Sequence, residues 1–512
     1  MIRFESLRRL AGWRADLVAL AIGALSAAAL PPVHAIPVLL IAFPALLALI
    51  DAARGPGGAA RRGFFFGLGH HIVGLYWITE AILLESARYW WLVPLAVPAL
   101  SALLALFIAA PCAVARLARP GPPRALALAG AYVLFDLARQ FVGTGFPWNP
   151  WGSVWAIPGL PGDVMIQPAA WIGTPGLTLL TVLLACTPAL GAARVLAALA
   201  ALVVWAALGV YRLNEPTAPA PGIDAVLVQG NVPQGQKWSA TIMADAFRRQ
   251  LQLTRDGVAQ AGTTPTIVIW PETSVPYLLQ YDPAARQAIA DASRGAPSLG
   301  ALVGGLTFVD PPAADTLDSN PPYNTLLALA PRTGDIVGTY SKWHLVPFGE
   351  FAPSWVPFAI QVVPGHLGFG AGPLTLSMPG LPSVGPLICY EAVYPGQVVD
   401  EANRPAWMVN ITNDAWFGNS TGPRQHLAAA RLRAVEEGLP LFRDANTGIT
   451  AAFDARGHEL GRLPMNLPGV LTLPIPAGRP ATSFSRWGLI VPGLLSLSAL
   501  GIGLRRRPGS SN

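Results

Sequence analysis

The chain has 512 residues, of which only 12% are charged and 53% are hydrophobic, and its mean hydropathy is +0.46; it is too long for one ordinary domain and too apolar for a soluble one. The net charge of +6 is read as topology charge and not as the mark of a nucleic-acid binder, because the arginines concentrate in short segments beside apolar runs. Three cysteines, with Cys112 and Cys186 inside apolar runs, exclude a disulfide framework and leave Cys389 as the thiol outside those runs.

Taken in chain order, apolar runs near residues 14–30, 36–51, 64–84, 92–115, 124–142, 165–188, 192–211 and 487–504 predict eight crossings of a hydrocarbon layer about 30 Å thick. The division that follows is a seven-span domain over 1–211, an extramembrane domain over 212–486, an eighth span over 487–504 and a tail over 505–512. The first run has no small-residue cleavage site behind it and is expected to stay as an anchor. Arg3, Arg8, Arg9 and Arg14 precede the first run, Arg54, Arg61 and Arg62 lie between the second and third, and Arg116, Arg119 and Arg124 between the fourth and fifth. The positive-inside rule places these segments, Arg194 and Arg505 to Arg507 in the cytoplasm. Both termini are then cytoplasmic, and residues 212–486 face outward, into a periplasm where one exists.

The string GTGFPWNPWGSVW, Gly143 to Trp155, and the pair Trp90 and Trp91 occupy outward loops. Their tryptophans suit an interfacial belt and equally the rim of a site that admits lipid chains. His70 and His71 have no partner at metal-ligand spacing, so no metal site is expected.

Beyond residue 222 the pattern changes to short β-rich runs, among them DAVLVQGNV, TIVIW, ALVGGLTFV, NTLLALA, VGPLICY and AWMVNITND, separated by helical segments such as 240–261 and 423–438. This predicts an α/β domain with a mixed sheet. Glu272 follows TIVIWP, Lys342 follows DIVGTYS and Cys389 follows VGPLI. Loops beyond strand ends are where ligand sites assemble in such domains. A thiol, a carboxylate and an ammonium are the groups that acyl transfer needs: a nucleophile, a proton acceptor and a cation for the tetrahedral oxyanion. Each residue alone has a plainer reading, Cys389 as a small core side chain, Glu272 as a helix cap and Lys342 as a solvated charge.

The strings WPETSVPY (Trp270 to Tyr277), YSKWHLVPFGEFAP (Tyr340 to Pro353) and ICYEAVYP (Ile388 to Pro395) together resemble the Glu, Lys and Cys signatures of the nitrilase superfamily, in the same order. With the flanking spans and the strings TGFPW and NDAWFG (Asn413 to Gly418), the chain is similar to the membrane-bound branch of that superfamily, the apolipoprotein N-acyltransferase family. The resemblance implies a multi-pass α-helical bundle of eight spans carrying a nitrilase-like four-layer α-β-β-α sandwich. It implies Glu272 as general base, Lys342 as oxyanion stabiliser and Cys389 as nucleophile. Glu350, Tyr390 and Glu391 match supporting residues, while Trp238, Asn324 and Trp416 match residues at the substrate pocket. FDLARQF, with Asp136 and Arg139, is a looser match to the family's segment ahead of TGFPW.

The expected reaction needs no cofactor. A phospholipid, with phosphatidylethanolamine as the family's donor, gives its acyl chain to Cys389, and the α-amine of a diacylglyceryl-cysteine at an apolipoprotein N-terminus receives it. The location implied is the bacterial inner membrane. Two other readings share the motifs: a membrane-tethered carbon–nitrogen hydrolase, which would give the acyl group to water, and a lipid-binding scaffold that has lost catalysis.

Overall fold

The computed structural model describes residues 4–84, 86–232, 240–275, 277–310, 320–353 and 366–505. The chain divides into two compact units, one drawn from Met1–Thr79, Ala87–Asn214 and Trp487–Asn512 and the other from Glu80–Ser86 and Glu215–Arg486.

The first unit is helical. Among its described residues four stretches are long and apolar enough to cross a membrane: Gly12–Ala29, Ser86–Leu117, Ala169–Leu190 and Ala192–Leu213. Shorter apolar helices run over Ile36–Ala52 and Ile490–Leu504. The other two expected crossings fall on helices Gly55–Gly74 and Pro122–Ala138. The run read as 64–84 is cut at Gly74, and a separate helix follows at Ile78–Leu84. Gly55–Gly74 also begins nine residues earlier than that run and takes in Arg61 and Arg62, which dilute its hydropathy. Helices Gly12–Ser26 and Gly55–Gly74 meet backbone to backbone, because a Cβ at Gly23 would strike the Phe66 carbonyl and one at Gly69 the Leu20 carbonyl; small residues permit such close approach where lipid supplies no hydrophobic drive. Four of the arginines read as topology markers are ion-paired: Arg61 lies 2.6 Å from Asp16, Arg62 binds the same carboxylate, and Asp51 takes Arg8 at 3.0 Å together with Arg124.

The second unit is built on two six-stranded mixed sheets. The first holds β1 (Asp224–Gln229), β2 (Thr266–Trp270), β3 (Ser298–Thr307), β4 (Tyr323–Leu329), β5 (Ile336–Ser341) and, at its other edge, β12 (Gly469–Pro474) in the order β12-β1-β2-β3-β4-β5. The second holds β6 (Leu376–Met378), β7 (Leu381–Ile388), β8 (Trp407–Thr412), β9 (Leu441–Ala445), β10 (Thr450–Phe453) and β11 (Glu459–Leu463) in the order β11-β10-β9-β8-β7-β6. Each sheet has a parallel centre, β1-β2-β3 in one and β7-β8-β9 in the other, flanked by antiparallel strands.

Side chains alternate across a strand, and that alternation makes the layers. Ala225 and Leu227 point between the sheets, where they join Ile267, Ile269, Leu326, Ile388, Trp407 and Phe442. Val226 and Val228 point outward, with Val268 and Trp270, under Phe247, Leu251 and Val258 of helix Ala240–Ala261. On the far side, Leu387, Met408 and Leu441 pack under Leu427, Ala430 and Ala434 of helix Gly422–Glu437. The order of layers is helix, sheet, sheet, helix. Full burial on both faces explains why the central strands read as continuous apolar runs.

Strand direction decides what meets at one end. β2 and β3 are parallel, and β5 lies two antiparallel steps from β3, so the residues just after β2 and β5 emerge on the same side. Asn324, near the start of the antiparallel β4, lies there too. Gly304 of β3 backs onto this edge: a Cβ there would lie 2.7 Å from the Glu272 Cα and closer still to the Pro271 carbonyl. Gly304→Ala is therefore expected to push out the Glu272 turn and to destabilise the protein by about 1–3 kcal/mol. Thermal unfolding of the purified chain checks this, and an unchanged Tm contradicts it.

Candidate active site

β7 ends at Ile388, and Cys389 opens a short 3-10 turn over Cys389–Val393. Its φ is +51°, a left-handed conformation that a non-glycine residue adopts only when its surroundings impose it. Cys389 is 5% exposed. Glu272, also nearly buried, follows β2 across Pro271, and the next residue, Thr273, likewise has a positive φ of 42°. Lys342 follows β5 and is 1% exposed.

The Lys342 Nζ donates to Glu272 Oε1 at 3.2 Å and to Glu350 Oε1 at 2.8 Å. Asn324 Nδ2 donates to the same two oxygens, at 2.6 Å and 3.2 Å, and the Lys342 N–H is tied to the Asn324 carbonyl at 2.8 Å. Glu350 Oε2 accepts the Val346 N–H at 2.8 Å, so the loop after the lysine closes on its own carboxylate. One ammonium and one amide thus bind two carboxylates in a site shielded from water.

Burial alone would lower the Lys342 pKa, but Glu272 and Glu350 override it and hold the ammonium well above the ordinary lysine range. Burial pushes the Cys389 thiol up, and the Glu272 carboxylate adds to that; Lys342 and a hydrogen bond with Thr412 oppose it without reversing the sign. Before substrate binds, Cys389 is a thiol beside a carboxylate and a permanent cation. A thiol in that state could serve as a nucleophile only by giving up its proton.

Glu391, fully buried, does not face this cluster. Its Oε2 accepts the Ile388 N–H at 2.6 Å and the Tyr340 hydroxyl at 2.8 Å, and its Oε1 accepts the Trp343 N–H at 2.8 Å. It therefore bolts the end of β7 to the end of β5, which sets Cys389 against Lys342. Burial pushes its pKa up to about 7 against these donors. The Tyr390 ring is buried and stands edge-on to Tyr394, which stacks on His344. Trp416 is half-buried on the Asp414–Phe417 turn after β8. Trp238 lies outside the described residues.

The structure adds a group that sequence reasoning missed. His426, on the inner face of helix Gly422–Glu437, has Nε2 2.9 Å from the Cys389 carbonyl and Nδ1 3.0 Å from Asp414 Oδ1. Asp414 Oδ2 accepts Arg443 Nη2 at 2.6 Å. Burial would raise the Asp414 carboxyl, but Arg443 and His426 bring it down to about 2. Burial and Arg443 lower the His426 pKa while Asp414 works the other way. Charged residues on a helix or short strand ordinarily read as a solvated face, and nothing local in the sequence marks these as buried.

Two families match the chain: the one described as Apolipoprotein N-acyltransferase N-terminal domain over residues 22–187, and carbon-nitrogen hydrolase over residues 231–479. The chain is 38% identical to the apolipoprotein N-acyltransferase of Bradyrhizobium diazoefficiens, over 99% of each chain. It is 37% identical to that of Rhodopseudomonas palustris, over 98% of this chain and 97% of the relative. The chain belongs to the apolipoprotein N-acyltransferase family. A third member, from Allorhizobium ampelinum, is 36% identical over 90% of both chains. Together with the apolar helices, membership makes this enzyme an integral membrane protein.

The raised thiol of this N-acyltransferase has a measurable consequence. Alkylation of Cys389 by iodoacetamide, followed peptide by peptide in mass spectra, is expected to be slow at neutral pH and still rising beyond pH 9.0, the ordinary thiol value. A rate that levels off below that value would contradict the electrostatics described above.

Proposed function

We propose that this enzyme moves a fatty acyl group from a phospholipid, through a thioester on Cys389, to the α-amine of the N-terminal diacylglyceryl-cysteine of an apolipoprotein. The observation that carries this reading is the Lys342 ammonium held against Glu272, beside the buried Cys389 thiol, in a chain similar along nearly its whole length to enzymes of that name.

In the first half-reaction the Cys389 proton passes to Glu272 as the sulfur attacks the ester carbonyl. Lys342 and the Tyr390 N–H stabilise the oxyanion. Collapse breaks the carbon–oxygen bond, and the departing lysophospholipid oxygen takes the proton from Glu272. In the second half the neutral amine attacks the thioester and gives a proton to Glu272, and the expelled thiolate recovers it. An amide and the original thiol remain. Glu350 holds the lysine throughout, and Asn324 keeps the two carboxylates from parting. Trp238 and Trp416 are taken as substrate-binding residues in this reading.

Both substrates are lipids, and this accounts for a hydrolase-type fold joined to apolar helices. We place the enzyme in the bacterial inner membrane as an eight-span protein with cytoplasmic termini, its domain over 212–486 facing the periplasm, in keeping with the arginine pattern. Phosphatidylethanolamine is the donor proposed.

With labelled phosphatidylethanolamine in proteoliposomes, Cys389→Ser, Glu272→Gln and Lys342→Ala are each expected to lower lysophospholipid release by at least about 10³-fold, as for residues that act as one unit. Continued release by folded Cys389→Ser would overturn the nucleophile assignment.

A further inference from the structure

We infer that His426 is a positioning residue for the reaction: it clamps the Cys389 carbonyl and thereby aims the Tyr390 N–H at the oxyanion. The inference rests on the acyl-transfer reading above only in taking Cys389 to pass through a tetrahedral adduct.

Cys389 sits one residue past the last ladder pair of β7 with β8, Ile388 with Ile411, and its left-handed φ has no intrinsic support. Its carbonyl lies 2.9 Å from His426 Nε2. A carbonyl oxygen only accepts, so Nε2 carries a proton whatever the charge on the ring. The ring is held at its other nitrogen in either charge state: the bare Nδ1 of a neutral ring accepts from Arg443 Nη2 at 3.2 Å, and the Nδ1–H of an imidazolium donates to Asp414 Oδ1 at 3.0 Å, with Asp414 itself gripped by Arg443. Arg443 is fixed in turn, since its Nη1 donates to Asn410 Oδ1. All of these side chains are buried. A line of contacts therefore runs from β9, through the turn after β8 and helix Gly422–Glu437, to the backbone of the nucleophile.

The consequence follows from the planarity of the peptide unit. The Cys389 C=O and the Tyr390 N–H belong to one rigid trans plane and point to opposite sides of it. Holding the carbonyl toward His426 fixes the N–H on the side away from His426. A donor on the carbonyl also polarises the peptide and strengthens that N–H as a donor. His426 does not touch substrate; it acts through the backbone.

The test separates chemistry that builds an oxyanion from chemistry that does not. Acylation of Cys389 by a p-nitrophenyl fatty ester needs the oxyanion donor, whereas alkylation by iodoacetamide is a displacement that needs none. In the full-length protein in detergent, His426→Ala is expected to lower the saturating acylation rate by about 10²-fold, the worth of one oxyanion donor. Half-saturation should be unchanged, and alkylation should stay within about threefold. His426→Gln, whose amide N–H can replace Nε2–H, is expected to restore acylation to within about tenfold of the native rate. Native acylation in folded His426→Ala, equal loss of acylation and alkylation, or failure of folded His426→Gln to recover would overturn the inference. Should His426→Ala not fold, the glutamine variant decides alone. A native enzyme acylated by the nitrophenyl ester but never by phospholipid would instead sink the donor reading and leave the role of His426 standing.

Discussion

The structure of the catalytic unit depends on one ammonium buried between two carboxylates. Lys342 is 1% exposed and reaches Glu272 and Glu350 at 3.2 and 2.8 Å. Without it, two carboxylates would share a site from which water is excluded, and the charge of Glu272 would bear on the neighbouring sulfur unrelieved. With it, Glu272 can stay close to the thiol, and a permanent positive charge bears on both. The arrangement is expensive to build, since each buried ion must be paired and hydrogen-bonded. Asn324, the Val346 N–H and the antiparallel step from β4 to β5 complete it.

Support for Cys389 comes from both sheets. Glu391 ties the end of β7 to the end of β5, and the Arg443–Asp414–His426 line holds the Cys389 backbone from the opposite side. Two residues beside the chemistry, Thr273 and Cys389, have positive φ. Strain of this kind persists only where neighbours over-determine the conformation, and these buried carboxylates and the histidine are such neighbours.

Much of this was legible in the sequence, for physical reasons that differ from element to element. β1, β2, β7 and β8 stand out because sheets covered on both faces need continuous apolar strands. Glu272 and Cys389 could be singled out because they follow such strands, Glu272 across Pro271; Lys342 follows β5, a half-exposed edge strand, and stood out through its motif instead. β9 was hidden, since LFRDA carries Arg443 and Asp444, both fully buried, and burial of charge is set by tertiary partners that no local pattern reveals. His426 was hidden for the same reason. In the membrane unit hydropathy located the apolar runs but not their breaks, as at Gly74, where Gly55–Gly74 ends and a separate helix starts at Ile78.

The triad alone does not say whether an amine or water receives the acyl group, and that choice is the centre of the account. The most direct measurement is a pulse and chase. Enzyme is loaded from phospholipid carrying a labelled acyl chain, freed of donor, and mixed with a diacylglyceryl-cysteine peptide. The label is expected to leave Cys389 and appear as an amide on the peptide, with little free fatty acid. Release of the label as free fatty acid at a rate indifferent to the peptide would show a hydrolase and contradict the account.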